Sequence, residues 1–159
     1  MLGAFGVGKT SLVRRYVESI FSESYLTTVG VKIDKKTLSV GGQDVMLLLW
    51  DIAGEDEVAP IRTSYLRGSS GYFLVVDGTR GETLDVARSI QLRVTAEIGA
   101  APFVVLLNKA DMQESWQLTA QAMESLEAAG WTVVRTSART GAGVDEAFRA
   151  LAQRMVAHS

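Results

Sequence analysis

A glycine-rich segment near the start of the sequence constrains the fold more than any other feature. Residues 3–10 read GAFGVGKT and fit the pattern G-x-x-x-x-G-K-[ST] at every fixed position. Glycines let the backbone turn tightly enough for successive N–H groups to face one anion, and the helix predicted to follow adds its positive end. The alternative is a glycine-rich turn that only caps a helix. The complete pattern favours a phosphate-binding loop for a nucleoside triphosphate, without selecting the base.

Two side chains of this segment have predicted chemical roles. Lys9 is expected to reach the β- and γ-phosphates, and the Thr10 hydroxyl is expected to bind Mg²⁺. The other predicted contacts to the nucleotide are Gly3, Phe5, Gly6, Val7, Gly8 and Ser11. The segment therefore predicts both a phosphate cradle and half of a metal site.

The strand that leads into this loop is short in the sequence. Only Met1 and Leu2 precede Gly3, whereas a strand usually has about five or six residues. We therefore expect either a natural chain that starts earlier or an unusually short first strand.

The rest of the chain alternates between segments typical of helices and of strands. Helices are predicted at Lys9–Ile20, Leu84–Ile98, Leu118–Ala129 and Val144–Met155. Strands are predicted at Val31–Val40, Gln43–Trp50, Gly71–Asp77, Pro102–Asn108 and Trp131–Thr136, the first two joined as a hairpin by Gly41 and Gly42. This order predicts the α/β class: three layers, with a mostly parallel six-stranded sheet, one antiparallel strand and helices on both faces.

Composition excludes several classes of protein. A length of 159 residues with 47% hydrophobic and 21% charged residues predicts a single domain over residues 1–159. The net charge of −2 argues against nucleic-acid binding. Because there is no cysteine, disulfides and prenyl or palmitoyl attachment to this sequence are excluded. We expect a cytoplasmic domain with no intrinsic membrane anchor or lipidation.

A carboxylate follows the second strand of the predicted hairpin. Asp51 stands at the carboxyl end of that strand, where an acid beside the phosphate loop can hold Mg²⁺ directly or through water. Gly54 has no Cβ, so its N–H can approach a γ-phosphate closely. The pattern D-x-x-G is by itself also typical of a plain turn. Its place after a hairpin and a complete phosphate loop favours the metal site.

The segment between the first helix and the hairpin is mostly polar. Residues 21–30 read FSESYLTTVG and have no helical period, so we expect a loop. Thr28 is a candidate second hydroxyl ligand for Mg²⁺ that orders this loop when a γ-phosphate is present; otherwise it is an ordinary loop threonine. Phe21 either packs edge-on against the base or anchors the first helix in the core.

Two polar segments follow the last two predicted strands. The Asp111 carboxylate can accept from both N1–H and the exocyclic amine of guanine, and adenine offers no matching pair. Asn108 is predicted to bridge neighbouring loops, and the stem of Lys109 to lie along the sugar and base. The second segment consists of Ser137, Ala138 and Arg139, with the Ala138 N–H placed to donate to guanine O6. Together the two segments predict a guanine nucleotide.

These elements resemble the small GTPases of the Ras superfamily. They occur in the order and approximate spacing of that family: Gly3–Ser11, Thr28, Asp51–Gly54, Asn108–Asp111 and Ser137–Arg139. The stretches TVGVKI (28–33), SYLRG (64–68) and SARTG (137–141) are most similar to the Rab branch. The resemblance covers essentially the whole chain and implies a P-loop G domain that hydrolyses GTP to GDP with Mg²⁺. It also implies effectors, exchange factors and GTPase-activating proteins as partners.

Two residues depart from the pattern of the family. Glu55 stands where the family usually has the glutamine that orients the attacking water. An ionised carboxylate only accepts hydrogen bonds and adds charge beside the γ-phosphate, so Glu55 either acts as a general base or, as we expect, slows hydrolysis. Phe5 stands where Ras proteins have glycine, and its ring would crowd an arginine supplied in trans.

The expected reaction is in-line attack of water on the γ-phosphate. The predicted catalytic residues are Lys9, Thr28, Gly54 and Glu55, and the predicted metal ligands are Thr10, Thr28 and Asp51. The alternatives are a GTP-bound scaffold that has lost hydrolysis, a G domain excised from a larger multidomain GTPase, and an ATP-dependent P-loop kinase, against which the guanine segments argue. The apolar stretch Val58–Ile61 is either an effector surface or buried against the sheet.

Overall fold

Strands and helices alternate in the second half of the chain, as is usual where parallel strands are joined by helical crossovers. The computed structural model describes residues 1–17, 23–26, 31–52 and 63–159. Its strands are β1 (Leu2–Gly3), β2 (Glu23–Leu26), β3 (Lys32–Val40), β4 (Gln43–Asp51), β5 (Tyr72–Asp77), β6 (Phe103–Asn108) and β7 (Val133–Arg135). Its helices are α1 (Lys9–Val17), α2 (Glu82–Ile98), α3 (Ala120–Ala128) and α4 (Val144–His158). Single 3₁₀ turns lie at Thr63–Tyr65 and Gln113–Ser115.

A parallel sheet with the strand order β1-β5-β6-β7 forms the centre of the molecule. All six residues of β5 are buried, and so are the last five of β6. Strands of this kind lack apolar–polar alternation because both of their faces are covered. The carboxyl ends of β1, β5, β6 and β7 therefore meet at one edge of the sheet, where the loops that follow them lie together.

Helices cover both faces of this sheet and divide the core in two. On one face, α1 and α4 pack Leu12, Tyr16 and Phe148 against Phe73 and Val75 of β5. The rings of Tyr16 and Phe148 are stacked, with centroids 3.7 Å apart. On the other face, α2 and α3 contribute residues that pack against the remaining side chains of β5 and β6: Leu84, Ala87, Ile90, Val94 and Leu126.

An antiparallel sheet with the order β2-β3-β4 lies beside the parallel one. Its hairpin turns at Gly41 and Gly42, whose φ angles of 57° and 80° are in the left-handed region that two-residue turns require. The nitrogen of Met1 donates to the Trp50 carbonyl oxygen at 3.1 Å, so β4 runs next to β1. This contact brings Asp51, at the end of β4, to the same edge as the loop after β1.

The α/β class, the parallel core, the helices on both faces and the hairpin are confirmed. The sequence missed one strand, because Glu23–Leu26 lies in the segment predicted as a loop. This short strand pairs along β3 from Glu23 opposite Lys35 to Leu26 opposite Lys32. Its conformation therefore comes from long-range pairing, which a local hydrophobic pattern does not reveal. In the described part of the chain, every helix is too short or too polar to cross a membrane.

Candidate nucleotide-binding site

The glycine-rich loop runs from β1 into α1 at the shared edge of the sheet. Gly6 and Gly8 have φ angles of 74° and 103°, which residues with a side chain rarely adopt. A Cβ atom on Gly8 would also lie 2.3 Å from the Asn108 side-chain nitrogen. Both the backbone conformation and the close approach of Asn108 therefore require glycine at this position.

Lys9 is the first residue of α1, and its side chain folds back under the loop. Its Nζ donates to the carbonyl oxygens of Gly3 at 3.2 Å and Ala4 at 3.1 Å, and the residue is 6% exposed. Burial lowers the pKa of the Lys9 ammonium to about 8, although the Asp51 carboxylate partly opposes this. A buried ammonium beside the loop is stabilised by any anion that the loop binds.

Three more side chains hold the next three carbonyl oxygens of the loop. Phe5 O accepts from Arg80 Nη2 at 2.7 Å, Gly6 O from Lys109 Nζ at 3.3 Å and Val7 O from Asn108 Nδ2 at 2.9 Å. With the two bonds from Lys9, five consecutive carbonyls of the loop accept from side chains. In a trans peptide the N–H points away from the C=O, so the three bonds from Arg80, Lys109 and Asn108, which lie outside the loop, turn the N–H groups that follow those carbonyls inward. The loop therefore has the form of an anion-binding nest.

Thr10 and Asp51 are adjacent beside the loop. Thr10 Oγ1 donates to Asp51 Oδ2 at 2.5 Å, and Thr10 is exposed whereas Asp51 is partly buried. A hydroxyl and a carboxylate are hard oxygen ligands of the kind that Mg²⁺ prefers, and Mg²⁺ usually completes its shell with water and phosphate. This pair of oxygen donors therefore fits a magnesium ion.

The segments after β6 and β7 are joined to each other by hydrogen bonds. Asn108 Oδ1 accepts from the Thr136 hydroxyl at 3.2 Å, and the Ala110 N–H donates to the Thr136 carbonyl at 3.0 Å. Asp111 Oδ1 accepts from the Ser137 hydroxyl at 2.8 Å. The other oxygen, Oδ2, lies 3.9 Å from Arg139 Nη1, and a carboxylate held by one hydroxyl keeps lone pairs that can accept from a base.

Lys109 has an unusual backbone in this segment. Its φ of 66° lies in the left-handed region, and it is alone in this among the non-glycine residues that the structure describes. Such a conformation destabilises a residue with a Cβ by roughly 1–2 kcal/mol. The turn aims the lysine side chain back toward the phosphate loop.

A buried carboxylate that the motifs do not include lies between the two halves of the site. Asp77, at the end of β5, is fully buried, and its Oδ2 contacts Lys109 Nζ at 2.7 Å and Arg80 Nε at 3.0 Å. Its Oδ1 accepts from the N–H and the hydroxyl of Thr79 at 2.9 and 2.6 Å. Burial by itself would raise the pKa of Asp77, but the hydrogen bonds from Lys109, Thr79 and Arg80 outweigh it, and the pKa falls to about 2. Asp77 is therefore a charged anchor at ordinary pH.

The remaining predicted site residues divide into exposed and undescribed ones. Phe5 is 72% exposed, and the Arg139 side chain is 85% exposed with its Nη1 3.9 Å from Asp111 Oδ2. Ser11 is exposed on α1, and Ala138 is partly buried beside the core. Phe21, Thr28, Gly54 and Glu55 lie outside the residues that the structure describes, as does Val58–Ile61.

Sequence reasoning missed Asp77 and Arg80. The available signal was a carboxylate at the end of an apolar strand, which is the same signal that identified Asp51. The residues Arg80 and Phe5 are 75 positions apart in the chain, and no sequence motif with a fixed spacing predicts their contact.

The architecture and this site define a P-loop nucleotide-binding domain: a phosphate loop between β1 and α1, and polar segments after β6 and β7, at one edge of a parallel sheet. Residues 1–157 match the sequence model of the Ras family, and this chain belongs to that family. Members of the Ras family are GTP-binding small GTPases.

Three relatives illustrate the match. The chain is 32% identical to Ras-related protein Rab-13 of Canis lupus familiaris over 161 residues, covering 100% of this chain and 79% of that protein. It is 32% identical to Ras-related protein Rab-8B of Homo sapiens, covering 96% of this chain and 75% of that protein. It is 31% identical to GTP-binding protein ypt2 of Schizosaccharomyces pombe, covering 98% of this chain and 78% of that protein. The similarity to Rab-type proteins agrees with the Rab-like stretches of the sequence.

Proposed function

We propose that this chain is a molecular switch that binds GTP and GDP with Mg²⁺ and hydrolyses GTP to GDP and phosphate. The observation that carries this proposal is the bridge made by Asn108. Its amide nitrogen holds the phosphate loop at Val7, and its amide oxygen accepts from Thr136 next to the predicted base pocket. One residue thus fixes the distance between a site for phosphates and a site for guanine.

The phosphates are held by the loop and Lys9 in this proposal. The inward N–H groups and the Lys9 ammonium stabilise the negative charge that shifts toward the β–γ bridge as the γ-phosphate leaves. Thr10 and Asp51 hold the Mg²⁺, which when bound neutralises charge on the β- and γ-phosphates. Ser11 lies in the first turn of α1, and its backbone N–H is one of the donors at the helix start that can face the phosphates.

The base is held by the segments after β6 and β7. Asp111, fixed by Ser137, accepts two hydrogen bonds from guanine, while the Ala138 N–H donates to O6. A bound adenine would cover the Asp111 acceptor without donating to it, which disfavours ATP. Lys109 lies along the base, and Arg139 supplies an exposed positive charge beside Asp111.

Water attack depends on three residues outside the described part of the chain. Thr28 closes the site over the γ-phosphate, the Gly54 N–H binds that phosphate, and Glu55 stands beside the attacking water. Because an ionised Glu55 repels the γ-phosphate, we propose slow hydrolysis without a partner. The exposed ring of Phe5 at the loop disfavours an arginine inserted there by an activating protein.

Single-turnover GTP hydrolysis by the purified chain tests the enzyme reading, with Lys9→Ala as the inactive reference and Glu55→Gln as the probe of charge. We expect slow hydrolysis that exceeds the Lys9→Ala rate, and a faster rate for Glu55→Gln. A wild-type rate equal to that of Lys9→Ala, with GTP still bound, would contradict hydrolysis and favour the scaffold alternative.

Displacement of a fluorescent GDP by GDP or ADP in the same preparation tests which base the site prefers. Equal displacement by the two nucleotides would contradict a guanine site.

A partner surface is proposed on β4. Met46, Leu48 and Trp50 alternate along its outer face and are 59%, 54% and 38% exposed. Apolar side chains in such a row favour contact with another protein. We propose that effectors bind to this face, with exchange factors and GTPase-activating proteins acting at the neighbouring nucleotide site.

A cytoplasmic location remains a prediction from composition.

A further inference from the structure

A cluster of charged residues between the two halves of the site includes two residues, Asp77 and Arg80, that the motifs leave out. It consists of Asp77, Arg80 and Lys109, and we call it the carboxylate brace. The Asp77 carboxylate is the centre: both cations bond to its Oδ2, and each then reaches a different carbonyl of the phosphate loop, at Phe5 and Gly6. A single buried anion thus organises two neighbouring peptide groups of the loop.

The backbone that carries Arg80 is itself fixed on both sides. Its carbonyl accepts from the Thr83 hydroxyl at 2.7 Å, and its N–H donates to the Asp77 carbonyl at 3.0 Å. The neighbouring Gly81 N–H donates to the Gln117 side chain at 2.9 Å. Little conformational freedom remains to be lost when the guanidinium takes its place, so the contact to Phe5 O is pre-organised.

The chemistry of arginine fits this role. Arg80 uses Nε toward the carboxylate and Nη2 toward the carbonyl, which are two donors of one rigid planar group. A lysine at this position has one ammonium on a flexible stem and cannot hold both acceptors in the same geometry. The bond to Phe5 O turns the N–H of Gly6 toward the interior of the loop, because the two groups share one peptide plane.

We propose that Asp77 and Arg80 are positioning residues for the phosphate loop, which set the direction of its amides so that the loop encloses a diphosphate or triphosphate. This inference rests on the proposed guanine-nucleotide function and deepens it. Neither residue touches the nucleotide: Asp77 acts through Arg80 and Lys109, and Arg80 acts through the Phe5 carbonyl. The effect should therefore fall on the phosphates beyond the first one and not on the base.

The ratio of the Kd for GMP to the Kd for GDP tests the brace. GMP lacks the β-phosphate that the loop encloses, whereas the base and sugar are the same. In Arg80→Ala we expect GDP to bind roughly tenfold more weakly, as for loss of a charge-assisted hydrogen bond, with GMP nearly unchanged, so that the ratio falls about tenfold. Arg80→Lys should fall between Arg80→Ala and the wild type. Arg154→Ala is the matched control, because it removes an exposed arginine of α4 and the hydrogen bond that this arginine donates to the Thr132 hydroxyl.

The possible outcomes separate the brace from a merely structural role. A variant that only lowers the folded fraction weakens GDP and GMP by the same factor, and an unchanged ratio in Arg80→Ala would overturn the brace. A fall in this Kd ratio for Arg80→Ala that is no larger than the fall for Arg154→Ala would also overturn the brace. Asp77→Asn should lower the ratio further because both cations are released; if it does not fold, the two Arg80 variants decide. A wild-type chain that binds GDP no better than ADP would overturn the proposed function, and the brace with it.

Discussion

The phosphate side and the base side of the site are held in place by different chemistry. On the phosphate side, five backbone carbonyls are bound by four side chains, three of which are cationic. On the base side, the recognition carboxylate of Asp111 is held by one neutral hydroxyl, and the nearest cation, on Arg139, is 85% exposed at 3.9 Å. The phosphate side therefore has five supporting bonds, four of them from cations, whereas the Asp111 carboxylate has one hydroxyl donor and an exposed ion pair, which contributes little.

This difference indicates that the phosphate loop is shaped before the nucleotide arrives. The predicted base segment has a weaker support, and we expect it to gain more of its order from a bound guanine. Asn108 is the exception, since it contacts both sides and is 1% exposed. A substitution at Asn108 therefore tests whether the two sides are linked, and substitutions on either side test how each one is held.

Asn108→Ala should have the largest effect. It leaves the Val7 carbonyl without its donor and the buried Thr136 hydroxyl without its acceptor, and each such loss costs about 1–3 kcal/mol. We expect GDP release to accelerate on the order of a hundredfold, measured with a fluorescent GDP. Thr136→Val removes only the base-side bond and should accelerate release far less. Equal rates in the two variants would show that Asn108 does not link the two sides.

Ser137→Ala should have an intermediate effect confined to the base side. The Ser137 hydroxyl donates to the Asp111 carboxylate and accepts from the Thr140 N–H. Loss of the bond to the carboxylate, about 1.5 kcal/mol or more, frees Asp111, so GDP should bind roughly tenfold more weakly. ADP binding should hardly change, so the preference for GDP over ADP falls by the same factor. Competition titrations measure both, and Ser125→Ala on α3 is the control. A parallel loss of GDP and ADP affinity would place the defect on the phosphate side instead.

Proton uptake on binding should be the smallest effect and belongs to the phosphate side. In the free protein the Lys9 pKa is about 8, lowered from 10.5, so the ammonium is largely deprotonated near pH 8.5. Phosphates favour the charged form, and binding should therefore take up a substantial fraction of a proton at this pH and little at pH 6.5. Calorimetry in two buffers of different ionisation enthalpy measures this uptake. In Lys9→Arg, which stays charged, the uptake should vanish; its persistence would assign the proton to another group.

The same shift in the Lys9 pKa has a consequence for folding. The unfolded chain binds more protons than the folded chain between about pH 8 and 10.5, because Lys9 is easier to protonate when unfolded. The contribution of Lys9 to the free energy of unfolding therefore rises with pH across that window. The protonated ammonium destabilises the free protein below pH 8, which is the usual behaviour of a buried cation without an anion.

Much of the architecture could be predicted because it depends on local patterns. The unbroken apolar runs of β5 and β6 indicated a sheet covered on both faces, and Gly41 with Gly42 placed the hairpin. The phosphate loop could be predicted for the same reason, since Gly6, Gly8 and Lys9 stand at fixed spacing in one short segment.

The features that the sequence did not predict depend on contacts between residues far apart in the chain. β2 forms along β3, and nothing in the residues 23–26 themselves requires a strand. Arg80 resembles any surface arginine in the sequence, and its role follows from the 2.7 Å contact with Phe5. Asp77 looks like the last residue of a strand until the fold brings two cations to it. Sequence patterns thus give the residues predicted to bind the nucleotide, and the fold adds the residues that hold them in place.

The left-handed backbone of Lys109 carries a consequence for directed evolution of this protein. A glycine at this position would relax the backbone and remove the cation that reaches Asp77 and Gly6. The strain that glycine relieves, roughly 1–2 kcal/mol, is smaller than the roughly 3–5 kcal/mol lost when a buried carboxylate loses a cation, so a selection for heat resistance and a selection for retention would both keep the strained lysine. Position 109 is thus a place where folding and binding both favour a residue whose own backbone is strained.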